Sequence, residues 1–180
     1  GFGLTERSGG PDSGATRTTA VRHNGGYKLN GSKIFITHAG VGEIFVVTAV
    51  TDRARKARGI TSFIVTKPTT DLETAQKIGV GHAPELEPFM KGVKAGKKED
   101  KMGWRASDTR ELLLEDVEVP MENRLGEEGQ GFINFMKTPD SGRIGIGALS
   151  LGLAQGAFDS CVEYAGTRAQ FGKTLKDFQG

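Results

Sequence analysis

The sequence has little of what marks disulfide-bonded, membrane-spanning or nucleic-acid-binding proteins. Its 180 residues include one cysteine, Cys161, so no internal disulfide can form, and three scattered histidines that lack metal-ligand spacing. The 24 Lys and Arg residues nearly balance 22 Asp and Glu residues, which gives no case for a nucleic-acid partner. Gln155 and the charges around it interrupt the longest apolar stretch, which excludes a membrane span. We expect a globular protein with one core, or one core and part of another.

Residues 18–119 have the pattern of short β-strands joined by turns. Alternation begins at Thr18, Asn24-Gly25 is a hairpin signal, and Asn30-Gly31 predicts a second turn. Apolar strand segments follow at 44–50, 60–65, 112–114 and 117–119. Between residues 66 and 101 the pattern dissolves into prolines and glycines among charged residues, which predicts a long excursion. The whole is typical of an all-β sandwich or barrel that ends near residue 125.

After residues 127–131 the apolar residues recur with the period of an α-helix, in a run that extends towards Phe171. The main apolar line consists of Ile144, Ala148, Leu151, Phe158, Val162, Ala165 and Ala169. Small residues at helical spacing accompany it, at positions 145, 148, 152 and 156, and allow a neighbouring backbone to approach closely. Such a helix is expected in a bundle or an oligomer interface, and Cys161 within it is expected to be a small buried side chain.

Residue spacing alone does not identify any chemistry. The sequence contains no Walker lysine motif, no G-x-G-x-x-G after a strand and no evident Ser/His/Asp set. Glu6, Asp12, Asp108 and Asp140 are far apart, and each is interpreted as a cap or turn ligand rather than a general base. The basic run at 53–58 is interpreted as a solvated loop, with a phosphate-binding patch as the alternative. By themselves, the residues predict a β domain joined to a helix.

Several short motifs follow one another along the chain. They are LTE at 4–6 with Gly10 and Asp12, NGSKIFIT at 30–37, MGWRASDTR at 102–110, EDVEVP at 115–120, NRLG at 123–126, DSGR at 140–143 and RAQFGK at 168–173. In this order they resemble the acyl-CoA dehydrogenase family over nearly the whole chain, apart from the excursion. Each motif alone is a weak signal, and the shared order makes the resemblance specific.

The resemblance implies an α+β fold. Residues 1–128 would form an antiparallel β-sandwich or barrel domain on the flavin-binding side, with a long insertion at about 67–100. Residues 129–180 would begin the C-terminal helical bundle with its first long helix, so that the bundle is incomplete. The family's catalytic glutamate is expected beyond Gly180, so we expect a fragment that is inactive when isolated. No residue of this chain is predicted to be catalytic, and none is predicted to bind a metal.

The resemblance also implies a flavoprotein oxidoreductase that holds FAD. Members of the family oxidise an acyl-CoA thioester to trans-2-enoyl-CoA: a carboxylate removes the α proton, and the β hydrogen passes as hydride to flavin N5. Electron-transfer flavoprotein is the expected acceptor, in fatty acid β-oxidation. A homotetramer or homodimer is expected, in a bacterial cytoplasm rather than the mitochondrial matrix. The alternatives are an acyl-CoA oxidase or flavin monooxygenase of the same superfamily, or a non-catalytic β binding module.

The matching motifs assign two sets of site residues by analogy. Residues expected to contact FAD are Phe2, Leu4, Thr5, Gly10, Phe35, Ile36 and Thr37, and, towards the FAD of a neighbouring subunit, Arg168, Gln170, Phe171 and Gln179. Residues expected to line the acyl-CoA site are Asp140, Ser141, Gly142 and Arg143. Plainer alternatives exist: a core strand for Phe35 and Ile36, a helix cap for Asp140, and a solvated helix-end arginine for Arg168.

The sequence departs from the family pattern in two places. Between Gly10 and Asp12 the family usually has Ser or Thr, whose hydroxyl reaches cofactor and substrate, whereas Pro11 has neither a hydroxyl nor an N–H. The excursion between residues 66 and 101 is also much longer than the family's usual connection between the matching strands.

Overall fold

The computed structural model describes residues 1–9, 15–77, 79 and 88–178, and it leaves the side chains of residues 138–141 undescribed. The chain divides into two compact units, Gly1–Phe135 and Met136–Gly180. The first unit contains the predicted strands, and most of the predicted long helix belongs to the second.

Most elements of the first unit are β-strands. They are β1 (Phe2–Gly3), β2 (Thr19–His23), β3 (Gly26–Thr37), β4 (Ile44–Val50), β5 (Ile60–Thr66), β6 (Val93–Lys98), β7 (Thr109–Val119) and β8 (Arg124–Leu125). The short helix α1 (Leu72–Lys77) and two 3₁₀ segments, Arg53–Gly59 and Met121–Asn123, lie between strands. The long helix α2 (Gly131–Thr167) begins in this unit and continues into the second.

The eight strands form one sheet in the order β6-β7-β3-β2-β4-β5-β8, with β1 paired to β4. Neighbours are antiparallel, except that β1 and the first residue of β2 run parallel to β4. The sheet is therefore mixed, and the prediction of a wholly antiparallel domain is corrected in this respect. The chain passes through β2 and β3 before it reaches β4, so no tight hairpin imposes an antiparallel direction on the β1–β4 pair. The α+β class is confirmed.

The two Asn-Gly dipeptides have different structures. Asn24 and Gly25 have φ of 46° and 78° and form the predicted tight turn between β2 and β3. The second predicted turn, at Asn30-Gly31, is wrong, because β3 continues through it. Two residues of β7, Glu115 and Asp116, stand opposite the single Asn30, which makes a β-bulge on β7. The Asn30 side chain bonds Asp116 in both directions, at 2.9 and 3.1 Å, and Asp116 has a φ of 50°.

The core lies between the buried faces of the strands. Its largest members are Tyr27, Leu29, Ile36, Phe45, Val47, Phe63, Val65, Leu112, Leu114 and Val117. The predicted strands at 44–50 and 60–65 are confirmed as β4 and β5, and the segments at 112–114 and 117–119 are one bulged strand, β7.

The expectation that residues 66–101 have no regular pattern is wrong for the part that the structure describes. α1 and β6 lie there, and β6 pairs with β7 along the edge of the sheet. The sequence of β6 is VKAGKK, and Val93 is its single buried residue. A lysine-rich edge strand has too few apolar residues to show alternation, although it protects the edge from pairing with other chains.

The predicted helix is confirmed, but it ends earlier than its apolar period suggests. α2 ends at Thr167, and Ala169 belongs to β9 (Ala169–Gln170), which pairs with β10 (Lys173–Thr174). Phe171 and Gly172 form the turn, with φ of 51° and 80°. A short 3₁₀ segment, Leu175–Asp177, follows.

Large apolar side chains of α2 are exposed within this chain, and Cys161 is exposed rather than buried as expected. Within the described part of the second unit, only the short β9–β10 hairpin and a 3₁₀ segment follow α2, and these are too small to cover the helix. None of the helices in the described ranges is long and apolar enough to cross a lipid bilayer.

Candidate functional site

The N-terminal segment and the end of β3 lie side by side, which brings most of the predicted flavin residues together. The amide of Ile34 donates a 2.8 Å hydrogen bond to the carbonyl of Thr5. β1 holds this segment against β4, where Phe2 pairs with Val46. Leu4 and Thr5 are half-buried, and they therefore lie next to the strand that carries Phe35 and Thr37.

Phe35 is part of a second β-bulge. Ile34 and Phe35 together stand opposite the single Glu111 of β7, and Phe35 has a φ of 59°. A non-glycine residue held in the left-handed region costs of order 1–3 kcal/mol, and such strain concentrates at functional sites. The bulge turns the Phe35 side chain out of the sheet, where 60% of it is exposed. The core-strand alternative therefore fails for Phe35.

The other predicted flavin residues of the first unit have different environments. Ile36 is 2% exposed within the core, so its side chain is not available to a ligand and only its backbone remains. Thr37 is exposed at the end of β3. The Phe2 ring stacks on Phe135 with centroids 4.5 Å apart. Gly10 and Pro11 lie outside the described residues.

Two buried charged residues hold the Thr5 segment in place. Lys33 is 0% exposed and Glu6 is 6% exposed. Lys33 Nζ donates to Glu6 Oε1 at 2.7 Å, to the Leu4 carbonyl at 3.3 Å and to Thr48 Oγ1 at 3.3 Å. Three acceptors match the three donors of an ammonium group.

The carboxylate of Glu6 also accepts hydrogen bonds from the two residues directly before β2. The amide of Arg17 donates to it at 2.6 Å, the amide of Thr18 at 3.1 Å and the Thr18 hydroxyl at 2.7 Å. The interpretation of Glu6 as a turn ligand is confirmed. Burial alone would raise the pKa of Glu6, but the charge of Lys33 and the donated hydrogen bonds outweigh it, and the pKa lies below its usual value. Burial lowers the pKa of Lys33, which the charge of Glu6 opposes.

A second charged cluster holds the turn that follows Thr37. Asp108 is 1% exposed and accepts from the Gly40 amide and from Arg110 Nε, each at 2.7 Å. Arg110 also pairs with Asp71, at the start of α1. The amides of Thr70 and Asp71 donate to the Gly40 carbonyl at 2.9 and 3.2 Å. The first residues of the predicted insertion are thus bonded to the turn next to the candidate site.

Lys67 is a second lysine with no exposed surface. Its Nζ donates to the Pro68 carbonyl at 2.8 Å and lies 5.7 Å from the centre of the Phe45 ring. Burial lowers the pKa of Lys67 to about 8, an effect that Asp108 and Glu43 oppose and Arg110 reinforces. Among the described residues, no group of three or more His, Cys, Asp or Glu side chains is placed to hold a metal ion.

The basic run lines a groove of about 480 Å³ together with residues 15–17, which precede β2, and Val50 at the end of β4. The cations on its wall are Arg17, Arg53 and Lys56, all exposed, and Lys56 has a φ of 51°. In the part of the chain that the structure describes, none of these three side chains forms a salt bridge. If the basic run binds phosphate, as the alternative interpretation has it, this groove is where the phosphate would lie.

The remaining predicted residues belong to the second unit. Gly142 and Arg143 are exposed on α2, while the side chains of Asp140 and Ser141 are among those left undescribed. Arg168 directly follows α2, and its amide donates to the Tyr164 carbonyl at 2.8 Å. Gln170 and Phe171 are exposed in the β9–β10 hairpin, and Gln179 lies outside the described residues. The contacts proposed for these residues stay predictions.

Sequence reasoning did not predict that Lys33 and Arg110 bond the segments on either side of the candidate site. A lysine directly before the apolar triplet Ile34-Phe35-Ile36 was the available signal for Lys33, since a charge at a core position needs a buried partner. That partner, Glu6, is 27 residues away, and no spacing rule connects the two positions.

The bulged sheet and its long helix define a domain pair that known proteins share. The family model described as "Acyl-CoA dehydrogenase, middle domain" matches residues 1–117, and "Acyl-CoA dehydrogenase, C-terminal domain" matches residues 129–180. The chain therefore belongs to the acyl-CoA dehydrogenase family, as its motif order predicted.

Individual relatives agree with this assignment. The short-chain specific acyl-CoA dehydrogenase of Clostridium acetobutylicum is 46% identical over 179 residues, 99% of this chain and 42% of that protein. The caffeyl-CoA reductase-Etf complex subunit CarC of Acetobacterium woodii is 44% identical over 178 residues, 99% of this chain and 41% of that protein. This chain thus spans about two-fifths of the length of the curated relatives it matches.

Solved structures share the fold. Butyryl-CoA dehydrogenase from Megasphaera elsdenii superposes with a TM-score of 0.82 at 44% identity, over 98% of this chain and 41% of that one. A structure described as the electron transferring flavoprotein of Acidaminococcus fermentans gives a TM-score of 0.83 at 45% identity, over 98% and 41% of the two chains.

Proposed function

We propose that the intact protein containing this chain is an FAD-dependent acyl-CoA dehydrogenase that converts a short-chain acyl-CoA to trans-2-enoyl-CoA. The observation that carries the proposal is the hydrogen-bonded pairing of the Thr5 segment with the bulge at Phe35. The family context supports it, because both segments lie within the matched middle domain, residues 1–117. The relatives that are named short-chain specific support a short acyl chain in the substrate.

The residues present fit a flavin. A flavin ring has apolar faces and a polar edge, so it needs a flat apolar contact beside hydrogen-bonding groups. Phe35 supplies an exposed aromatic ring, and Thr5 and Thr37 supply hydroxyls on the two segments beside it. In our proposal Phe35 packs on the ring face and the two threonines hold its edge. FAD, when bound, supplies the hydride acceptor, and this chain supplies its position.

The cationic groove supports a coenzyme A ester as the substrate. Coenzyme A carries three phosphate groups, and arginine binds phosphate oxygens with two parallel donors. In our proposal Arg17, Arg53 and Lys56 bind these phosphates, so that the coenzyme A nucleotide would lie on the first unit. We further propose that Asp140, Ser141, Gly142 and Arg143 line the acyl-CoA site, and that Arg168, Gln170, Phe171 and Gln179 reach the FAD of a neighbouring subunit.

The remaining proposals concern the whole protein. We assign residues 1–128 to the β domain and 129–180 to the start of the helical bundle, in a homotetramer or homodimer. We propose electron-transfer flavoprotein as the electron acceptor, supported by relatives whose names mention Etf or an electron transferring flavoprotein. A bacterial cytoplasm is proposed on the strength of the bacterial relatives.

The test uses the purified intact protein. We expect about one FAD per subunit and loss of its visible absorbance when butyryl-CoA is added without oxygen, with crotonyl-CoA as the product. Absence of bound flavin, or no absorbance change with any acyl-CoA, would refute the dehydrogenase proposal. Fast reoxidation by O₂ with formation of H₂O₂ would indicate an acyl-CoA oxidase instead.

A further inference from the structure

We propose that Lys33 is a positioning residue of the flavin site, whose buried ammonium joins Thr5 and Phe35 into one rigid edge. This inference rests on the proposed function and deepens it, because it names a fully buried residue that holds the flavin-binding segments in position. Lys33 does not touch the flavin in this proposal, and it acts through the backbone on either side of Thr5.

The contacts of Lys33 bracket Thr5. Its Nζ bonds the Leu4 carbonyl at 3.3 Å and the Glu6 carboxylate at 2.7 Å, the residues directly before and after Thr5. Lys33 itself lies two residues before Phe35 on β3, and the next residue, Ile34, bonds the Thr5 carbonyl. One side chain thus fixes both segments that we assign to the flavin, relative to each other.

The aliphatic stem of Lys33 adds a packing constraint. A Cβ placed on Gly3 would lie 3.3 Å from Cγ of Lys33 and 2.9 Å from Cγ1 of Val47. Glycine is therefore needed at this position for β1 to lie directly against the lysine stem. The segment that leads into Leu4 and Thr5 therefore lies close to both Val47 and the Lys33 stem.

Stability alone gives no reason for this ion pair. A buried pair that is replaced by apolar side chains of similar volume often leaves the protein equally stable or more stable, because the desolvation of two charges offsets their attraction. What an apolar pair does not supply is directed hydrogen bonds to the Leu4 carbonyl and to the amides of Arg17 and Thr18. The polar network therefore determines the backbone path of the segment around Thr5, rather than adding to the free energy of unfolding.

The test compares variants of the intact protein by two measurements. The first is hydrogen exchange of the Ile34 amide in the flavin-free protein, which reports its bond to Thr5. The second is FAD affinity, with the visible spectrum of the bound flavin. The variants are Lys33→Met and the charge-balanced double variant Lys33→Met/Glu6→Gln, which guards against misfolding caused by an unpaired buried carboxylate. Lys67→Met is the matched control, because it removes another ammonium with no exposed surface.

We expect the double variant to stay folded, to exchange the Ile34 amide about tenfold faster and to bind FAD about tenfold more weakly with an altered spectrum, since the lost bonds involve a charged donor. Lys67→Met should change neither the Ile34 exchange rate nor the flavin spectrum. A folded double variant with unchanged Ile34 exchange and FAD affinity would overturn the inference. If the wild-type protein binds no flavin, the proposed function fails, and Ile34 exchange alone decides whether Lys33 positions Thr5.

Discussion

The amide of Gly40 donates a 2.7 Å hydrogen bond to the buried carboxylate of Asp108, 68 residues further along the chain. This bond fixes the turn after Thr37, whereas Lys33 is bonded before Phe35 in the sequence. Asp108 also holds Arg110, and Arg110 holds Asp71 at the start of α1. The end of β3 is therefore supported by buried charges before and after the exposed residues Phe35 and Thr37.

The variant Asp108→Ala should lower the free energy of unfolding by roughly 3 kcal/mol, because it leaves the Gly40 amide and Arg110 without their buried acceptor. Urea unfolding of the intact protein measures this change. The control Asp100→Ala removes an exposed carboxylate from the same region and should change stability by no more than about 0.5 kcal/mol. Equal effects of the two substitutions would contradict the structural role of Asp108.

Replacing Phe35 by glycine should stabilise the protein while weakening its flavin site. Glycine accepts the φ of 59° without a steric penalty, so the free energy of unfolding should rise by about 1 kcal/mol. FAD affinity should fall, because the aromatic contact is lost. The control Phe35→Ala removes the ring but keeps the Cβ, and it should show the loss of affinity without the gain in stability. Thermal unfolding measures the stability of both variants, and FAD titration measures their affinity. A Phe35→Gly protein that is less stable than the wild type would show that the bulge is not strained.

Acid pH should loosen the segment around Thr5. The pKa of Glu6 in the folded protein lies below the usual value of 4.5, so its ionised form stabilises the fold above that pH. This contribution is lost as the pH falls from 4.5 through the folded-state pKa. Stability measured between pH 3 and 6, in steps of about half a unit, should fall more steeply in the wild type than in Glu6→Gln. Parallel curves would mean that Glu6 does not contribute.

The burial of Lys67 predicts a gain in stability at alkaline pH. Its pKa is about 8 in the folded protein against 10.5 when unperturbed, so the unfolded chain binds more protons between these values. The wild type should therefore gain stability relative to Lys67→Met as the pH rises from 8 to 10.5. A stability difference that stays constant over this interval would show that the lysine is not held in a desolvated position.

Arg168→Ala tests the proposed contact with the FAD of a neighbouring subunit. The variant should fold normally, because Arg168 is exposed and follows the end of α2. Its FAD should dissociate on dilution, to an extent that grows as the oligomer dissociates, whereas the exposed control Lys176→Ala retains it. FAD release is measured by flavin fluorescence against protein concentration. Affinity that is independent of both substitution and concentration would leave Arg168 a solvated helix-end residue.

Sequence patterns predicted the elements that depend on local residues. The apolar runs gave β4 and β5, and Asn24-Gly25 gave its turn, because a left-handed pair is the local preference of that dipeptide. The identical dipeptide at 30–31 failed because its conformation depends on Asp116 in another strand. The family resemblance implied that Thr5 and Phe35 contact the same flavin, which stays a prediction, and the structure brings their segments side by side. Motif order could not reveal the buried partners of Lys33 and Asp108, since each pairing joins residues that meet only through the tertiary fold.

The two bulges between β3 and β7 cancel each other. β7 gains an extra residue opposite Asn30, and β3 gains one opposite Glu111, so the pairs at both ends of the ladder, Tyr27 with Val119 and Thr37 with Thr109, share one alignment. Only the stretch between the bulges is offset by a residue. Deleting the extra residue at one bulge would leave the flanking pairs matched one to one, and it would remove the left-handed residue, Asp116 or Phe35, that the bulge contains. The irregularity at Phe35 and the distant one at Asp116 are therefore two separate insertions, one on each strand, that leave β3 and β7 with the same number of residues between the end pairs.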